Sequence, residues 1–348
     1  MVVDLRSDTI TLPTEAMWAA MRNATLADDS LEGDDTVQRL EAMAAELLGK
    51  EAALFVTSGT MGNLVASLSH GGRGGEAIAD ANAHIITSEA GGIARLAGLM
   101  CHGVPGGRGE MDLEAMRGKL RASHTRSGQP TAMVVIETSH NHSGGTVPSL
   151  PYMRQVRELA HDHGAAVHVD GARVFNAAAA LGVSVREIAA MADSLTFCLS
   201  KGLSAPMGSL LAGSSSFIER ARTYRRMVGG GLRQAGIMAA AGVVALRDMP
   251  ARLVDDHRSA LQIWEVLRQA GSGLVSADAP ETNILMIDVR GAREQRSASE
   301  WVSTLAQAGV AVRARDAFTL RLVTHRHIDL ASAERAARVI AGALGSAA

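Results

Sequence analysis

Short apolar segments alternate with helical segments through most of the first 250 residues. Runs of apolar, β-prone residues occupy positions 52–57, 76–79, 98–103, 132–137, 165–170 and 195–199. Helical patterns lie before and between them, at 36–49, 89–96, 112–120 and 151–163. Continuously apolar strands separated by helices are typical of a parallel sheet whose two faces are both covered. The chain is therefore predicted to be an α/β protein with a mostly parallel central sheet and helices on both faces.

The pattern changes near residue 250. A helix over 250–270, strands at 283–289, 310–313 and 319–323, and helices at 301–308 and from residue 329 predict a small α+β domain. Residues 1–34 are polar and irregular, as expected for an arm that packs on another surface. We therefore expect two domains in the 348 residues, an arm with a large domain over 1–249 and a small domain over 250–348.

Composition excludes several classes of protein. The formal net charge of −2 gives no electrostatic basis for binding nucleic acid. The longest apolar segment, residues 237–246, is too short to cross a bilayer, and the first residues lack the apolar run of a signal peptide. Cys101 and Cys198 are too few for a disulfide framework and do not form a zinc motif. We expect a cytoplasmic enzyme of small metabolites, with neither a membrane nor a metal partner.

Polar residues follow the last apolar residue of four predicted strands. Residues 58–60, Glu137, Asp170 and Lys201 occupy these positions. Since ligands of open α/β sheets bind at the carboxyl ends of the strands, the four positions are expected to lie at one edge.

The residues at this edge suggest a pyridoxal phosphate (PLP) site. Lys201 would form a Schiff base with the aldehyde, and Asp170 would keep the pyridine nitrogen protonated. The turn Ser58-Gly-Thr60, between a strand and a helix, would bind the phosphate. Each feature has a simpler interpretation: a lysine at a strand end commonly reaches into solvent, and a serine there is an ordinary helix cap. The combination and its order along the chain favour the PLP site.

The sequence resembles the threonine aldolases, which are fold-type I PLP enzymes. The resemblance extends over nearly the whole chain, and its motifs are residues 4–13, 51–63, 168–176, 197–209, 229–234 and 321–325.

This resemblance implies a role for each matching residue. The implied catalytic residues are Lys201, His84, which would also stack on the cofactor ring, and Asp170. The cofactor-binding residues are predicted to be Ser58, Gly59, Thr60, His84, Asp170, Arg173, Ser200, Lys201 and, from a neighbouring subunit, Arg233. The substrate-binding residues are predicted to be Ser7, Arg173, Arg321, His124 and, as a substitute for Arg321, Arg313.

The activity implied is retro-aldol cleavage of L-threonine, L-allo-threonine and related L-β-hydroxy-α-amino acids, including phenylserine-like ones, to glycine and an aldehyde. The low aromatic content of 3% favours a broad substrate range. The resemblance also implies a homotetramer, a dimer of dimers with shared active sites. Two alternatives remain open: another PLP reaction (β-elimination, racemisation or transamination) and a binding protein without catalytic activity.

Overall fold

The computed structural model describes residues 2–345 except 73, 125, 127, 271 and 272. These residues form two compact units. One unit takes the described residues within Met1–Thr11, Gly144–Thr146 and Ala251–Ala348, and the other takes those within Leu12–Ser143 and Val147–Pro250. The division into domains at residue 249 stays a prediction. No helix in the described ranges is both long enough and apolar enough to cross a membrane.

Most strands are short, with lengths of two to seven residues. In chain order they are β1 Val3–Asp4, β2 Ala52–Val56, β3 Glu76–Asp80, β4 Met100–Val104, β5 Gly106–Gly107, β6 Glu110–Met111, β7 Thr131–Glu137, β8 Ala166–Asp170, β9 Ser194–Cys198, β10 Ser209–Gly213, β11 Ile284–Asp288, β12 Val310–Ala311, β13 Arg313–Ala314 and β14 Thr319–Val323.

The α-helices range from single turns to five turns. In chain order they are α1 Glu15–Arg22, α2 Asp35–Leu48, α3 Gly59–His70, α4 His84–Thr87, α5 Gly92–Arg95, α6 Leu113–Arg117, α7 Leu150–Asp162, α8 Val174–Leu181, α9 Val185–Ala189, α10 Ser215–Met227, α11 Gly236–Asp248, α12 Leu253–Ala270, α13 Ala298–Gln307 and α14 Leu330–Leu344. Short 3-10 helices cover Asp8–Ile10, Pro250–Arg252 and Val289–Gly291.

The larger unit is built on a mixed sheet. Within the described residues, seven strands form it in the order β2-β10-β9-β8-β7-β3-β4. Strands β9, β8, β7, β3 and β4 are parallel, and β10 is antiparallel to both of its neighbours, β9 and β2. Strand β2 therefore points in the same direction as the parallel strands. The predicted mostly parallel sheet is confirmed, and helices such as α2, α3, α7 and α10 pack against it.

Strand β10 is absent from the sequence prediction. Its five residues follow β9 after a connection of ten residues that contains no α-helix. A parallel pairing requires a longer crossover connection, usually helical, so this short return allows only an antiparallel pairing with β9. Helix α1 is a second element without a sequence prediction, and it lies inside the arm that is predicted to be irregular.

Two helix predictions differ from the structure. The helix expected over 89–96 is replaced by the separate turns α4 and α5, because Gly91 adopts a left-handed conformation with φ of 70° between them. The helix expected over 112–120 ends at Arg117. Helix α2 agrees closely with its predicted range and with its predicted end at Gly49, which has a left-handed φ of 65°. Its cap differs from the prediction by one residue: Asp34 caps the helix, whereas the sequence suggests Asp35, which is the first helical residue.

The smaller unit has a three-stranded antiparallel sheet in the order β11-β14-β13. Strand β1, from the N-terminus, pairs in parallel with β12. Apolar residues of α12, α13 and α14 form the core of this unit with the strands, and Trp301 is the largest of its fully buried side chains. The helices and strands of this unit thus match the α+β pattern predicted from the sequence.

Candidate active site

The predicted strand-end residues lie at the carboxyl edge of the main sheet. Glu137 on β7 is the register partner of Asp170 on β8, and Asp170 is the partner of Thr196 on β9. Lys201 follows the end of β9 by three residues, and Ser58 follows the end of β2 by two. The sheet therefore brings these positions to a common edge of the larger unit.

Helix α3 begins at this edge, directly after β2. Ser58 is its N-cap, and the Ser58 hydroxyl accepts a hydrogen bond of 3.1 Å from the backbone N–H of Met61. The N–H groups of Gly59 and Thr60 are the first two of the helix, so they have no carbonyl partner within it. Gly59 packs so closely on β9 that a Cβ atom there would lie 2.9 Å from the Cys198 sulfur.

Asn63, one turn into α3, joins two carboxylates. Its amide nitrogen is 2.8 Å from Oδ2 of Asp170 and 2.8 Å from Oε1 of Glu89. The same oxygen of Glu89 is 2.8 Å from Nδ1 of His84. Three atoms therefore form a close group, all within 4.8 Å of one another: a ring nitrogen of His84, an oxygen of Glu89 and an oxygen of Asp170.

A second glutamate fixes the backbone of His84. Oε2 of Glu137 accepts a hydrogen bond of 2.6 Å from the His84 N–H, and Oε1 accepts one of 2.8 Å from the N–H of Asn141. The imidazole and the backbone of His84 are thus each held by a different carboxylate, and both carboxylates are buried.

Burial and hydrogen bonding shift the pKa values in this group. The hydrogen bond to Glu89 raises the pKa of His84 above that of a free histidine, against the opposing effect of burial. Burial raises the pKa of Glu89, and it raises the pKa of Glu137 in the same way, with the charge of Asp170 adding to both shifts. A basic imidazole therefore lies against a carboxyl group that resists ionisation more than usual.

Lys201 and Ser200 are half-buried and lie in the turn that follows β9. The carbonyl of Lys201 accepts a hydrogen bond of 2.9 Å from the N–H of Ser204, which has a positive φ of 64°. Arg173 is buried and is the N-terminal flanking residue of α8, three positions after Asp170. These three predicted residues belong to the same unit as Asp170.

Arg233 is exposed and pairs with residues of its own chain. Its guanidinium is 3.2 Å from a carboxylate oxygen of Asp28 and is hydrogen-bonded to the hydroxyl of Ser30. His124 is also exposed, on the segment before β7, and among the described residues it forms no hydrogen bond with the group around His84.

The other predicted substrate residues belong to the smaller unit. Ser7 is buried and caps the 3-10 helix Asp8–Ile10. Arg321 lies on β14, where its side chain donates a hydrogen bond of 3.4 Å to the carbonyl of Arg6, and Arg313 is its register partner on β13. The structure therefore brings Ser7, Arg313 and Arg321 into one unit.

The residues of the larger unit fit PLP. The two N–H groups at the start of α3 suit a phosphate, because they combine unpaired donors with the positive end of the helix dipole. Asp170 is only 3% exposed, and a buried carboxylate is stabilised by a cationic partner such as a protonated pyridine nitrogen. Lys201 supplies an amine near the end of the neighbouring strand.

Sequence reasoning did not identify Asn63 and Glu89. Asn63 lies within a motif that carries the family resemblance, yet the sequence alone is equally compatible with an asparagine that faces solvent on a helix. Glu89 falls within the helix predicted over 89–96, whereas the structure places it between α4 and α5. The one sequence signal for Asn63 is that a polar residue lies on the apolar face of a helix, because a polar group buried there needs hydrogen-bond partners. In the structure Asn63 is 1% exposed.

Comparisons with known proteins identify the family. The model of the beta-eliminating lyase family matches residues 4–292. Low-specificity L-threonine aldolase 1 of Arabidopsis thaliana is 43% identical over 329 residues, which cover 94% of this chain and 92% of that protein. The low specificity L-threonine aldolase of Escherichia coli (strain K12) is 40% identical over 329 residues, covering 94% and 95%.

Solved structures show the same fold at much lower identity. A Leishmania major threonine aldolase has a TM-score of 0.82 at 17% identity, covering 97% of this chain and 98% of that chain. A structure of SPT with PLP has a TM-score of 0.77 at 19% identity, covering 98% and 87%. The fold, the fit of the site and the matches in sequence lead to one conclusion: this chain belongs to the beta-eliminating lyase family, and it is a PLP-dependent lyase.

Proposed function

We propose that the protein cleaves L-threonine, L-allo-threonine and related L-β-hydroxy-α-amino acids to glycine and an aldehyde. The observation that carries this proposal is the hydrogen-bonded group of His84, Glu89 and Asp170 at the edge of the sheet where β9 also ends. A retro-aldol reaction needs a base for the β-hydroxyl proton, and this group contains a histidine made more basic by a carboxyl partner. Relatives named as low-specificity L-threonine aldolases support the same reaction.

Different residues of the chain would bind different parts of the cofactor. Lys201 would supply the amine that attaches it, and Asp170 would bind the ring nitrogen and keep it protonated. The start of α3, with Ser58, Gly59 and Thr60, would bind the phosphate, with Ser200 contributing a hydroxyl. When bound, PLP supplies an electron sink for the electrons released as the Cα–Cβ bond breaks.

His84 would take the β-hydroxyl proton at Nε2. Its Nδ1 is hydrogen-bonded to Glu89, so Nε2 is the ring nitrogen that is left to exchange a proton with a substrate. Arg173 would bind the substrate carboxylate, and Ser7 and Arg321 are further predicted ligands of it, with Arg313 as a substitute for Arg321. His124 is a predicted substrate contact. A bidentate arginine would orient the amino acid for cleavage of a single bond.

The test is the product of the reaction with L-threonine. Glycine and acetaldehyde in equal amounts support the proposal, whereas a keto acid with ammonia indicates β-elimination, and D-allo-threonine alone indicates racemisation at Cα. A keto acid formed with the aminated cofactor indicates transamination. Lys201→Ala should abolish turnover, and full activity in this variant contradicts the proposed role of the lysine.

A panel of L- and D-configured threo and erythro β-hydroxy amino acids tests the substrate range. We expect cleavage of both L-threonine and L-allo-threonine, and of phenylserine. The reason is the aromatic content of 3%, which leaves few rigid side chains to discriminate at Cβ. A rate profile restricted to one diastereomer of threonine would contradict the broad range. A protein that binds PLP but converts no amino acid would favour the non-catalytic alternative.

We also propose a homotetramer in which Arg233 reaches the phosphate of a neighbouring subunit's cofactor. The exposed side chain of Arg233, after a run of three glycines, supports a role toward a partner. Mixing inactive Lys201→Ala and Arg233→Ala variants should restore part of the activity, because a hybrid dimer would contain one intact site. Light scattering would measure the number of subunits in the assembly.

A cytoplasmic location is proposed as well, in keeping with the two free cysteines, and cell fractionation would test it.

A further inference from the structure

Asn63 is the junction of a buried hydrogen-bond network beneath the site. Its amide nitrogen contacts Asp170 and Glu89, each at 2.8 Å, and its amide oxygen is 3.1 Å from Nε2 of His168. An amide nitrogen carries two hydrogens, so each carboxylate receives one. The reverse orientation would place the amide oxygen against two carboxylates. The orientation of the Asn63 amide is therefore determined by its neighbours.

The network continues from His168 in one donor direction. Because Oδ1 of Asn63 accepts, Nε2 of His168 donates, and its Nδ1 accepts a hydrogen bond of 2.8 Å from the hydroxyl of Ser194. The same hydroxyl oxygen is 2.7 Å from Nε2 of His70, which donates to it. Burial lowers the pKa of His168 to about 3 and that of His70 to about 4, so both rings are neutral at neutral pH. Each donor and acceptor along this chain then has a single consistent assignment.

We propose that Asn63 is a positioning residue that holds Asp170 and, through Glu89, His84 in one arrangement, with its amide oriented by the hydrogen-bonded chain His168–Ser194–His70. This inference rests on the proposed function only in taking Asp170 and His84 as the groups that contact PLP. The buried carboxylates of Glu89 and Asp170 have oxygens within 4.8 Å of each other, so the two groups repel. Such repulsion favours protonation of one of them. Asn63 donates one N–H to each carboxylate, which offsets this repulsion and holds both side chains in place.

The first test compares Asn63→Ala with the wild-type holoenzyme. Equilibrium dialysis would measure the Kd for PLP, and visible circular dichroism would report the orientation of the bound cofactor. We expect the Kd to rise by about tenfold to a hundredfold, since each lost hydrogen bond to a charged group weakens the site appreciably. The visible circular dichroism band should also weaken. An unchanged Kd with an unchanged band would overturn the inference.

The second test uses Asn63→Asp, which keeps the shape of the side chain and replaces the donor amide by a carboxyl. The titratable groups that face this position are Glu89, Asp170 and His168, with His84, Glu137 and His70 one contact further away. At pH 8 the new carboxylate would repel Glu89 and Asp170, whereas at lower pH its protonated form again offers an O–H donor. The ratio of the variant's Kd to the wild-type Kd should therefore fall as the pH is lowered from 8 to 6. A ratio that does not change with pH would indicate only a packing role and would contradict the proposal.

The third test addresses the chain behind Asn63. Glutamine places an amide nitrogen close to the position of Nε2 of histidine, so His168→Gln can still donate to Asn63, whereas His168→Leu cannot. We expect the leucine variant to bind PLP several-fold more weakly and the glutamine variant to recover most of the difference. Equal Kd values for the two variants would show that the chain does not orient the amide. Thermal unfolding of both variants identifies any that fails to fold.

Ser69→Ala is the matched control. Ser69 is buried on α3 and its hydroxyl donates to the carbonyl of Val65, so the variant loses a buried hydrogen bond on the same helix without touching either carboxylate. It should leave the Kd and the circular dichroism band as in the wild type. If wild-type enzyme binds no PLP, the proposed function fails. If wild-type enzyme binds PLP and the Asn63 variants bind it equally well, only this inference fails.

Discussion

His84 is held at two points by carboxyl groups from different parts of the chain. Glu137 accepts its backbone N–H, and Glu89 accepts a hydrogen bond from its ring. The first contact fixes where the residue lies, and the second fixes which ring nitrogen carries a proton and how strongly it is held. The two glutamates thus hold the imidazole of His84 in a position and a tautomer that suit proton transfer.

The pH dependence of activity should depend on Glu89. Removing its charge in Glu89→Gln keeps an oxygen for the hydrogen bond but lowers the pKa of His84, which the hydrogen bond to Glu89 raises in the wild type. A base must be unprotonated, so activity decreases as the pH falls through this pKa. We expect the acidic limb of the plot of kcat/KM against pH to move to lower pH in the variant.

Glu110→Gln is the control for this profile. Glu110 is a half-buried carboxylate that accepts a hydrogen bond of 3.0 Å from the N–H of Ser149. Its neutralisation should leave the acidic limb in place. If the limb does not move in Glu89→Gln either, a group other than His84 controls it.

At the scale of elements, the start of α3 depends on two glycines that face β9. A Cβ atom at Gly62 would lie 2.5 Å from Cγ2 of Thr196, and one at Gly59 would lie 2.9 Å from the sulfur of Cys198. Both contacts are too close for a real side chain. Glycine at these positions therefore lets α3 approach the sheet and present its N-terminus at the carboxyl edge.

Gly62→Ala should separate α3 from β9. We expect the free energy of unfolding to fall by about 1–3 kcal/mol from overpacking, measured by urea denaturation, with weaker PLP binding because the helix start moves. The double variant Gly62→Ala with Thr196→Ala should recover much of both losses, since it removes the methyl and the hydroxyl that the new Cβ meets. Gly92→Ala, where the nearest atom is 3.9 Å from the added Cβ, is the control with little expected effect. A loss in Gly62→Ala that the second substitution does not relieve would contradict the steric explanation.

Asp34 connects three segments of the larger unit through one carboxylate. Oδ1 accepts from the N–H groups of Thr36 and Val37 at the start of α2, and Oδ2 accepts from those of Ala27 and Gly236, each at 3.1 Å. Asp34→Ala leaves all of these donors unpaired, and we expect a loss of about 3 kcal/mol in the free energy of unfolding. Asp34→Asn retains one acceptor and should lose less. Equal losses in the two variants would show that packing matters more than the hydrogen bonds.

At the scale of the whole molecule, one buried and two half-buried histidines couple stability to pH. Burial lowers the pKa of His70 to about 4, that of His168 to about 3 and that of His257 to about 4. The ordinary pKa of histidine is 6.5, so between pH 6.5 and the lowered pKa values the three histidines are protonated in the unfolded chain but not in the folded one. The three histidines therefore make the protein less stable as the pH falls. The raised pKa values of Glu89 and Glu137 act in the opposite direction.

A variant isolates the histidine contribution. His70→Gln keeps a donor for the hydroxyl of Ser194 but does not titrate. Each histidine accounts for about 1.4 kcal/mol per pH unit below 6.5, so between pH 7 and pH 5 the variant should lose about 2 kcal/mol less than the wild type. Urea denaturation at both pH values measures this difference, with His124→Gln at an exposed histidine as the control. Equal losses in wild type and His70→Gln would contradict the role of this ring.

Much of the fold and part of the site were predictable because they depend on local patterns. The apolar runs that became β2, β7, β8 and β9 follow from composition and length, and α2 follows from its period, its aspartate cap and its glycine. Asp170 and Lys201 are predictable because they follow the last apolar residues of buried strands, whereas His84 follows from the family resemblance. The short helices α4 and α5 were not predictable, because the conformation of Gly91 divides them.

The sequence by itself determined the alternation of strands and helices, the family resemblance and the residue types needed for the chemistry of PLP. Only the tertiary structure decided that β10 runs antiparallel between β9 and β2, since strand order depends on contacts between distant segments. The tertiary structure also joined Asn63, Glu89 and His168, which are separated by up to 105 positions, into one network. Hydrogen-bond partners depend on distance and direction in space, and a linear pattern of residues carries neither.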